Sequence, residues 1–256
     1  MSTAPVAVFD SGVGGLSVLL ELVRELPAES FLYYADSAHC PYGTKPRAEI
    51  LARAAQVTET LLAQNAKLIV VACNTATIAA VESLRAAYPV SFVGMEPAIK
   101  PASALTRSGV VGVLATGSSL GGEKFHRLLD AHARGVRVIT RPCPGWVERV
   151  EAGDLDSAAT RAAVAREVEP LLAAGADVLV LGCTHYPFLR PLIQAVAGAG
   201  VQVLDTGAAV ARQTRRVLER EGRLAPPAGA GQLAWQTSGD PALFARLRER
   251  LFLPAT

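Results

Sequence analysis

Short, unbroken apolar runs alternate along this chain with longer stretches in which apolar residues recur every three or four positions. The runs predict strands at 5–9, 31–35, 67–72, 90–93, 109–114, 136–140, 177–181, 201–204 and 233–237. The periodic stretches predict helices at 16–26, 46–65, 75–87, about 122–133, 157–174, 188–197, 208–221 and 241–251. A Pro/Gly/Ala linker at 225–231 precedes the last strand. The runs at 67–72 and 177–181 do not alternate apolar with polar. Such strands are covered on both faces, as in a parallel sheet between helices. Repeated strand–helix alternation predicts an α/β doubly wound fold.

The pattern restarts near position 109. Leu68-Ile69-Val70-Val71-Ala72-Cys73-Asn74-Thr75 lines up with Val178-Leu179-Val180-Leu181-Gly182-Cys183-Thr184-His185. Nearly the same separation relates the two first-strand ends, Asp10 and Thr116. Two α/β strands can look alike by composition alone. A duplication is favoured because each copy sets a cysteine at the same strand end.

Composition narrows the function classes. Half of the 256 residues are hydrophobic and 19% are charged, so a large core is available and a disordered chain is excluded. The net charge is +2, and no basic run exceeds Arg215-Arg216. Nucleic acid and anionic membrane are therefore poor partners. No apolar stretch has transmembrane length. The first residues lack a basic segment followed by an apolar one, so no secretion signal is expected. The four cysteines, none in a Cys-x-x-Cys pair, are expected to be reduced thiols in the cytoplasm.

Ligands of open α/β sheets sit beyond the carboxyl ends of the strands. The first block puts Asp10, Ser11, Asp36, Cys73, Asn74, Thr75 and Glu96 there. The second puts Thr116, Cys143, Cys183, Thr184, His185, Asp205 and Thr206 there. Burying so many polar groups in a core would require a partner for each, so a site is the simpler account. A lone cysteine is usually a small buried hydrophobe. That reading holds for Cys40 and Cys143. Cys73 and Cys183 are a matched pair, each at the expected turn into a helix, where a thiolate is favoured.

Two such thiols could form a disulfide, hold zinc or move protons. A reducing compartment argues against the disulfide. Cys183 and His185 are too close in sequence for an ordinary zinc pair, and no second cluster has ligand spacing. Moving a proton off carbon and returning it to the opposite face needs an acid and a base, which two similar constellations supply. Asp10 is then the natural partner of Cys73, and His185 that of Cys183. Asp10-Ser11-Gly12-Val13-Gly14-Gly15 lacks full dinucleotide spacing and sets an acid where phosphate would approach. Walker A and Gly-x-Ser-x-Gly sequences are absent.

At these residues the chain resembles the glutamate racemases, from Val6 to about Leu251. The resemblance rests on Phe9-Asp10-Ser11-Gly12 with Gly14-Gly15, and on Asp36 with Pro41-Tyr42-Gly43. It rests also on Cys73-Asn74-Thr75-Ala76, on Gly182-Cys183-Thr184-His185-Tyr186-Pro187, and on Cys143-Pro144 followed by Glu151. It implies two pseudo-symmetric α/β domains with mostly parallel sheets flanked by helices and the active site at their interface. The first domain would span 1–97 with 208–256, and the second 98–207.

The resemblance further implies that Cys73 and Cys183 are the two acid/bases, supported by Asp10 and His185. Asp36 and Glu151 would be polar groups near the site. Ser11, Tyr42, Gly43, Asn74, Thr75, Thr116 and Thr184 would bind substrate. One stretch departs from the family pattern: Thr116-Gly117-Ser118-Ser119, Leu120-Gly121-Gly122 and Phe125 replace a Lys-Ser pair and a Tyr, although Ser119 keeps a hydroxyl.

The expected activity is interconversion of L- and D-glutamate without pyridoxal phosphate, metal or nucleotide, supplying D-glutamate for peptidoglycan in the cytoplasm. Glutamate would be the ligand, and a homodimer the assembly. A racemase of aspartate or a hydantoin is the nearest alternative, and Cys-Thr-His favours glutamate by resemblance. A single-cysteine decarboxylase is disfavoured by the matched pair. A non-catalytic dicarboxylate-binding protein is the reading from a different class.

Overall fold

A computed structural model describes residues 1–120, 123–227 and 229–252. The chain divides into two compact units, one of Met1–Met95 together with the chain from Gly207 onward, the other of Glu96–Thr206. In chain order the first unit opens with β1 (Val6–Asp10), α1 (Leu16–Glu25), β2 (Phe31–Ala35), α2 (Arg47–Leu62), β3 (Leu68–Val71), α3 (Asn74–Ala87) and β4 (Ser91–Val93). The second holds α4 (Ile99–Leu105), β5 (Val110–Ala115), α5 (Gly117–Leu120), α6 (Glu123–His132), β6 (Arg137–Pro142), α7 (Trp146–Glu151), α8 (Ala158–Ala173), β7 (Val178–Leu181), α9 (Arg190–Ala197) and β8 (Gln202–Leu204). The chain then returns to the first unit with α10 (Gly207–Arg220), β9 (Leu233–Thr237) and α11 (Pro241–Leu251).

Both sheets are parallel, as the apolar runs require. The first has the order β4-β3-β1-β2-β9 and the second β6-β5-β7-β8. Read from the other edge, the second is β8-β7-β5-β6, the order of the first without its edge strand β9. The repeated sequence pattern is thus a repeated topology, and Cys73 and Cys183 follow equivalent strands, β3 and β7.

Every residue of β1, β3 and β7 is buried. One face of the first sheet sets Ala7, Phe9, Ile69 and Val71 against Ile50, Val57 and Leu61 of α2 and Ala80 and Leu84 of α3. Helices α1 and α10 pack together, burying Leu16, Leu19 and Leu22 with Val210, Ala211 and Leu218. In the second unit, Val111, Val113, Val178 and Val180 pack with Ile99 and Ala102 of α4 and Phe125 of α6. A buried ion pair fastens the returning chain: Lys67 Nζ is 2.6 Å from Glu29 Oε2 and donates to the carbonyls of Ser2 and Arg223 at 2.8 Å. The second Glu29 oxygen accepts from the Ala225 N–H at 2.6 Å.

The hydrophobic pattern did not predict α4, α5 or α7. Helix α4 carries Pro101 in its first turn, where the missing N–H has no intrahelical partner to lose. Helices α5 and α7 are one to two turns long, too short for a period to register. The helix expected at 188–197 begins instead at Arg190, after a 3-10 turn over Tyr186–Leu189. Pro187, which lacks a backbone donor, falls in that turn. Gly121 and Gly122, where the helix expected at about 122–133 would start, lie outside the described residues. Among the described residues no helix is long and apolar enough to cross a membrane.

Candidate active site

In the first unit, β1 delivers Asp10 directly into the glycine turn. Asp10 is fully buried; its Oδ2 accepts from the Gly15 N–H at 2.7 Å and its Oδ1 from the Ser11 hydroxyl at 3.4 Å. Position 15 needs glycine, because a Cβ there would stand 2.8 Å from Asp10 Cβ and 2.9 Å from Tyr33 Oη. Cys73 leaves β3 in extended conformation and caps α3, its Sγ accepting from the Ala76 N–H at 3.5 Å. The thiol also lies 3.8 Å from Ser11 Oγ. Ser11 therefore bridges Asp10 to Cys73. A backbone donor and the positive end of a 14-residue helix both favour negative charge on this sulfur.

Asn74 and Thr75 open the same helix and are buried. Asn74 Nδ2 has no hydrogen-bond partner among the described residues. A buried amide left unpaired costs about 1–3 kcal/mol, so this donor, at a helix N-terminus, is placed to receive an anionic ligand.

Asp36 follows β2 and is wholly buried. Arg53 Nη2 donates to its Oδ1 at 2.7 Å, while Arg53 Nε and the Tyr42 hydroxyl donate to its Oδ2 at 3.1 and 2.5 Å. Burial works to raise the Asp36 pKa, but the Arg53 guanidinium and the Tyr42 and Ser238 hydroxyls outweigh it and hold the group below its ordinary value. Burial, then the hydrogen bond to Asp36, pushes Tyr42 far up, so it stays a neutral donor. Asp36 is thus committed to three partners and anchors the 3-10 turn Tyr42–Thr44, where Tyr42 is buried and Gly43 half-buried. Arg53 was not predicted as part of this group. The available signal was a cation on the buried stripe of α2, between Ile50 and Val57.

In the second unit, β7 runs into Gly182, whose N–H donates to the Leu114 carbonyl at 2.7 Å. A Cβ at Gly182 would sit 2.9 Å from Ala115 Cβ and 3.2 Å from that carbonyl, so only glycine lets the strand end lie this close to β5. Cys183 and Thr184 follow, both buried. Cys183 Sγ is 3.7 Å from His185 Nδ1, and His185 Nε2 is 2.7 Å from Glu151 Oε1. Glu151 comes from the end of α7 and is half-buried. Unlike Cys73, Cys183 caps no α-helix. Its carbonyl accepts from the Tyr186 N–H at 3.2 Å, starting the 3-10 turn.

Thr116 follows β5 and shares a 2.8 Å hydrogen bond with the buried Ser119 hydroxyl. Cys143 packs in the interior; burial first, then the charges of Glu167 and Cys183, push its thiol up. It is held as a neutral thiol. Asp205 is ion-paired with Arg190. Each unit contains a strand-end thiol with hydroxyl neighbours and a carboxylate one residue removed, through Ser11 to Asp10 in one and through His185 to Glu151 in the other.

The family model for Asp/Glu/Hydantoin racemase matches residues 10–214, more than half of the chain. The chain belongs to the Asp/Glu/Hydantoin racemase family. Within it, the chain is 56% identical over 251 residues to a glutamate racemase of Herpetosiphon aurantiacus, covering 98% of this chain and 99% of that one. Among solved structures, the Thermus thermophilus glutamate racemase in complex with β-chloro-D-alanine is 38% identical, with a TM-score of 0.83 over 99% of this chain and 95% of that one. The Escherichia coli glutamate racemase in complex with L-glutamate and the activator UDP-MurNAc-Ala is 33% identical, with a TM-score of 0.85 over 96% of this chain and 95% of that one. The racemase-family match spans both cysteine constellations.

Proposed function

We propose that this chain is a glutamate racemase that moves the α-proton between two thiols without a cofactor. The observation that carries the reading is the matched pair Cys73 and Cys183, each at an equivalent strand end and each with its own polar support. One thiolate takes the α-proton; the C–H electron pair stays on carbon as a carbanion stabilised by electrostatic contacts; the other thiol gives a proton to the opposite face. Cys73 serves the D-enantiomer and Cys183 the L-enantiomer.

Several features support the roles. The unpaired Asn74 amide and the N-terminal peptide groups of α3 suit the α-carboxylate, with Thr75 and Thr184 beside the thiols. Ser11 and the Tyr42-Gly43 backbone suit the side-chain carboxylate. With Nε2–H donated to Glu151, His185 Nδ1 is the ring nitrogen that faces the Cys183 thiol and accepts its proton. Asp10 holds Ser11 against Cys73. Relatives solved with L-glutamate and with β-chloro-D-alanine agree with an amino-acid substrate. The physiological role is supply of D-glutamate for peptidoglycan, in the cytoplasm, by a homodimer.

Circular dichroism of L- and D-glutamate with purified protein tests the reading, with aspartate as control. Decay of both glutamate signals to zero supports it. Unchanged glutamate signals, or decay of aspartate alone, overturn it.

A further inference from the structure

Tyr33 lies outside every role assigned above, yet it is wholly buried in the middle of β2 with its hydroxyl aimed at the glycine turn. Its Oη donates to the Gly12 carbonyl at 2.7 Å. The same oxygen stands where a Cβ at Gly15 would approach to 2.9 Å, so turn and phenol are fitted to each other. That turn carries Ser11, which contacts Cys73, and closes on Asp10 through the Gly15 N–H. A displacement at Gly12 therefore moves the residue next to Ser11.

The ring of Tyr33 is held in turn by the last segment of the chain. Phe244 of α11 stacks on it with 6.1 Å between centroids and 2° between planes. Trp235 of β9 packs at 6.1 Å and 54°. Trp235 is itself held by Phe252, edge-on at 5.1 Å, and by the Arg248 guanidinium 5.1 Å above its ring. Strand β9 is the edge strand that the second sheet lacks. The first constellation thus has an aromatic buttress, and the Tyr33 hydroxyl joins it to the turn.

We infer that Tyr33 is a positioning residue for the Cys73 side of the reaction: its hydroxyl fixes the turn that sets Ser11 and Asp10 against Cys73, and the aromatic cluster of β9 and α11 fixes Tyr33. This rests on the proposed two-thiol racemisation. Its mark is handedness, because Tyr33 bears on one of the two thiols. Racemisation needs both thiols in either direction and cannot show this. Elimination of HCl from β-chloroalanine needs only one base. The thiolate takes the α-proton, the C–H pair becomes the Cα–Cβ double bond, and chloride leaves with the C–Cl pair. The aminoacrylate then hydrolyses to pyruvate and ammonium.

The test measures pyruvate release from β-chloro-D-alanine and β-chloro-L-alanine by wild-type protein and Tyr33→Phe, which removes one oxygen and keeps the ring stack. The expected result is a fall of about ten-fold in kcat for the D-analogue, the cost of one well-placed hydrogen bond, with the L-analogue unchanged. Trp235→Leu, which disturbs the buttress without touching the turn, should reproduce the same D-selective loss more weakly. Equal loss with both analogues marks Tyr33 as a fold residue and overturns the inference, as does no loss with either. Those outcomes leave the two-thiol reading intact if wild type racemises glutamate and eliminates from both analogues. Wild type that acts on neither analogue and does not racemise glutamate defeats that reading, and this inference with it.

Discussion

Glu151 and His185 are joined at 2.7 Å, Oε1 to Nε2, and this contact leaves Nδ1 of the same ring 3.7 Å from the Cys183 thiol. A carboxylate on one ring nitrogen fixes the proton there and makes the other an acceptor. Glutamine at 151 can donate as well as accept, so it permits the wrong tautomer. Glu151→Gln should lower kcat for glutamate by about ten- to a hundred-fold, the worth of a hydrogen bond to a charged group. The pH profile of kcat should move with it. Steady-state rates across pH check this; an unchanged kcat with an unmoved profile contradicts the relay.

Arg53 should matter through stability. It is one-fifth exposed, whereas its partner Asp36 is fully buried. Arg53→Ala leaves that carboxylate with hydroxyl partners only. The loss should be about 2–3 kcal/mol, below the about 3–5 kcal/mol of a fully buried pair. Denaturant unfolding measures it, and a change under half a kcal/mol would remove the anchoring role.

The same group sets an acid limb. The Asp36 pKa lies below its ordinary 3.8 in the folded protein. The unfolded chain therefore binds the proton first as pH falls, and stability rises with pH in that window. Asp36 contributes fully above about pH 4 and is lost as pH drops through its folded value. Thermal melts from pH 6 downward should show this decline, and Asp36→Asn should flatten it. A variant with the wild-type slope would assign the acid limb to other carboxylates.

The thiols should separate by reactivity. Cys143 is buried and pushed up, so it should resist alkylation, and Cys143→Ala should retain racemase activity. Iodoacetamide should inactivate the enzyme, with D-glutamate protecting Cys73 and Cys183. Mass-spectrometric mapping reads both. Protection confined to Cys40 and Cys143 would contradict the site.

Much of this was legible in the sequence, for reasons that differ by element. The runs ending at Cys73 and Cys183 are buried on both faces, so apolar continuity announced β3 and β7 and the buried thiols that follow them. The duplication was readable because both copies kept a cysteine at that place, and the shared strand order follows it. Helix α7 stayed hidden because six residues give too little period, and with it the route by which Glu151 reaches His185. The partners of Asp36 were hidden too, since Arg53 is distant in sequence and only the fold of β2 onto α2 brings them together. Symmetry itself misled at Cys183. The sequence there suggested a second helix cap, and the chain makes a 3-10 turn over Tyr186–Leu189 instead, with His185 Nδ1 3.7 Å from the thiol.

Exchange of the α-proton in D2O tests the division of labour between Cys73 and Cys183 most directly. A serine hydroxyl is a far poorer base than a thiolate near neutral pH. Cys73→Ser should therefore exchange the α-proton of L-glutamate and leave D-glutamate untouched, while Cys183→Ser should do the reverse. Both should lose racemisation by orders of magnitude. Proton NMR of each enantiomer with each variant reads all four cases. Opposite selectivity in the two variants is the predicted result; wild-type racemisation in either, or the same loss of exchange from both enantiomers in both, contradicts it.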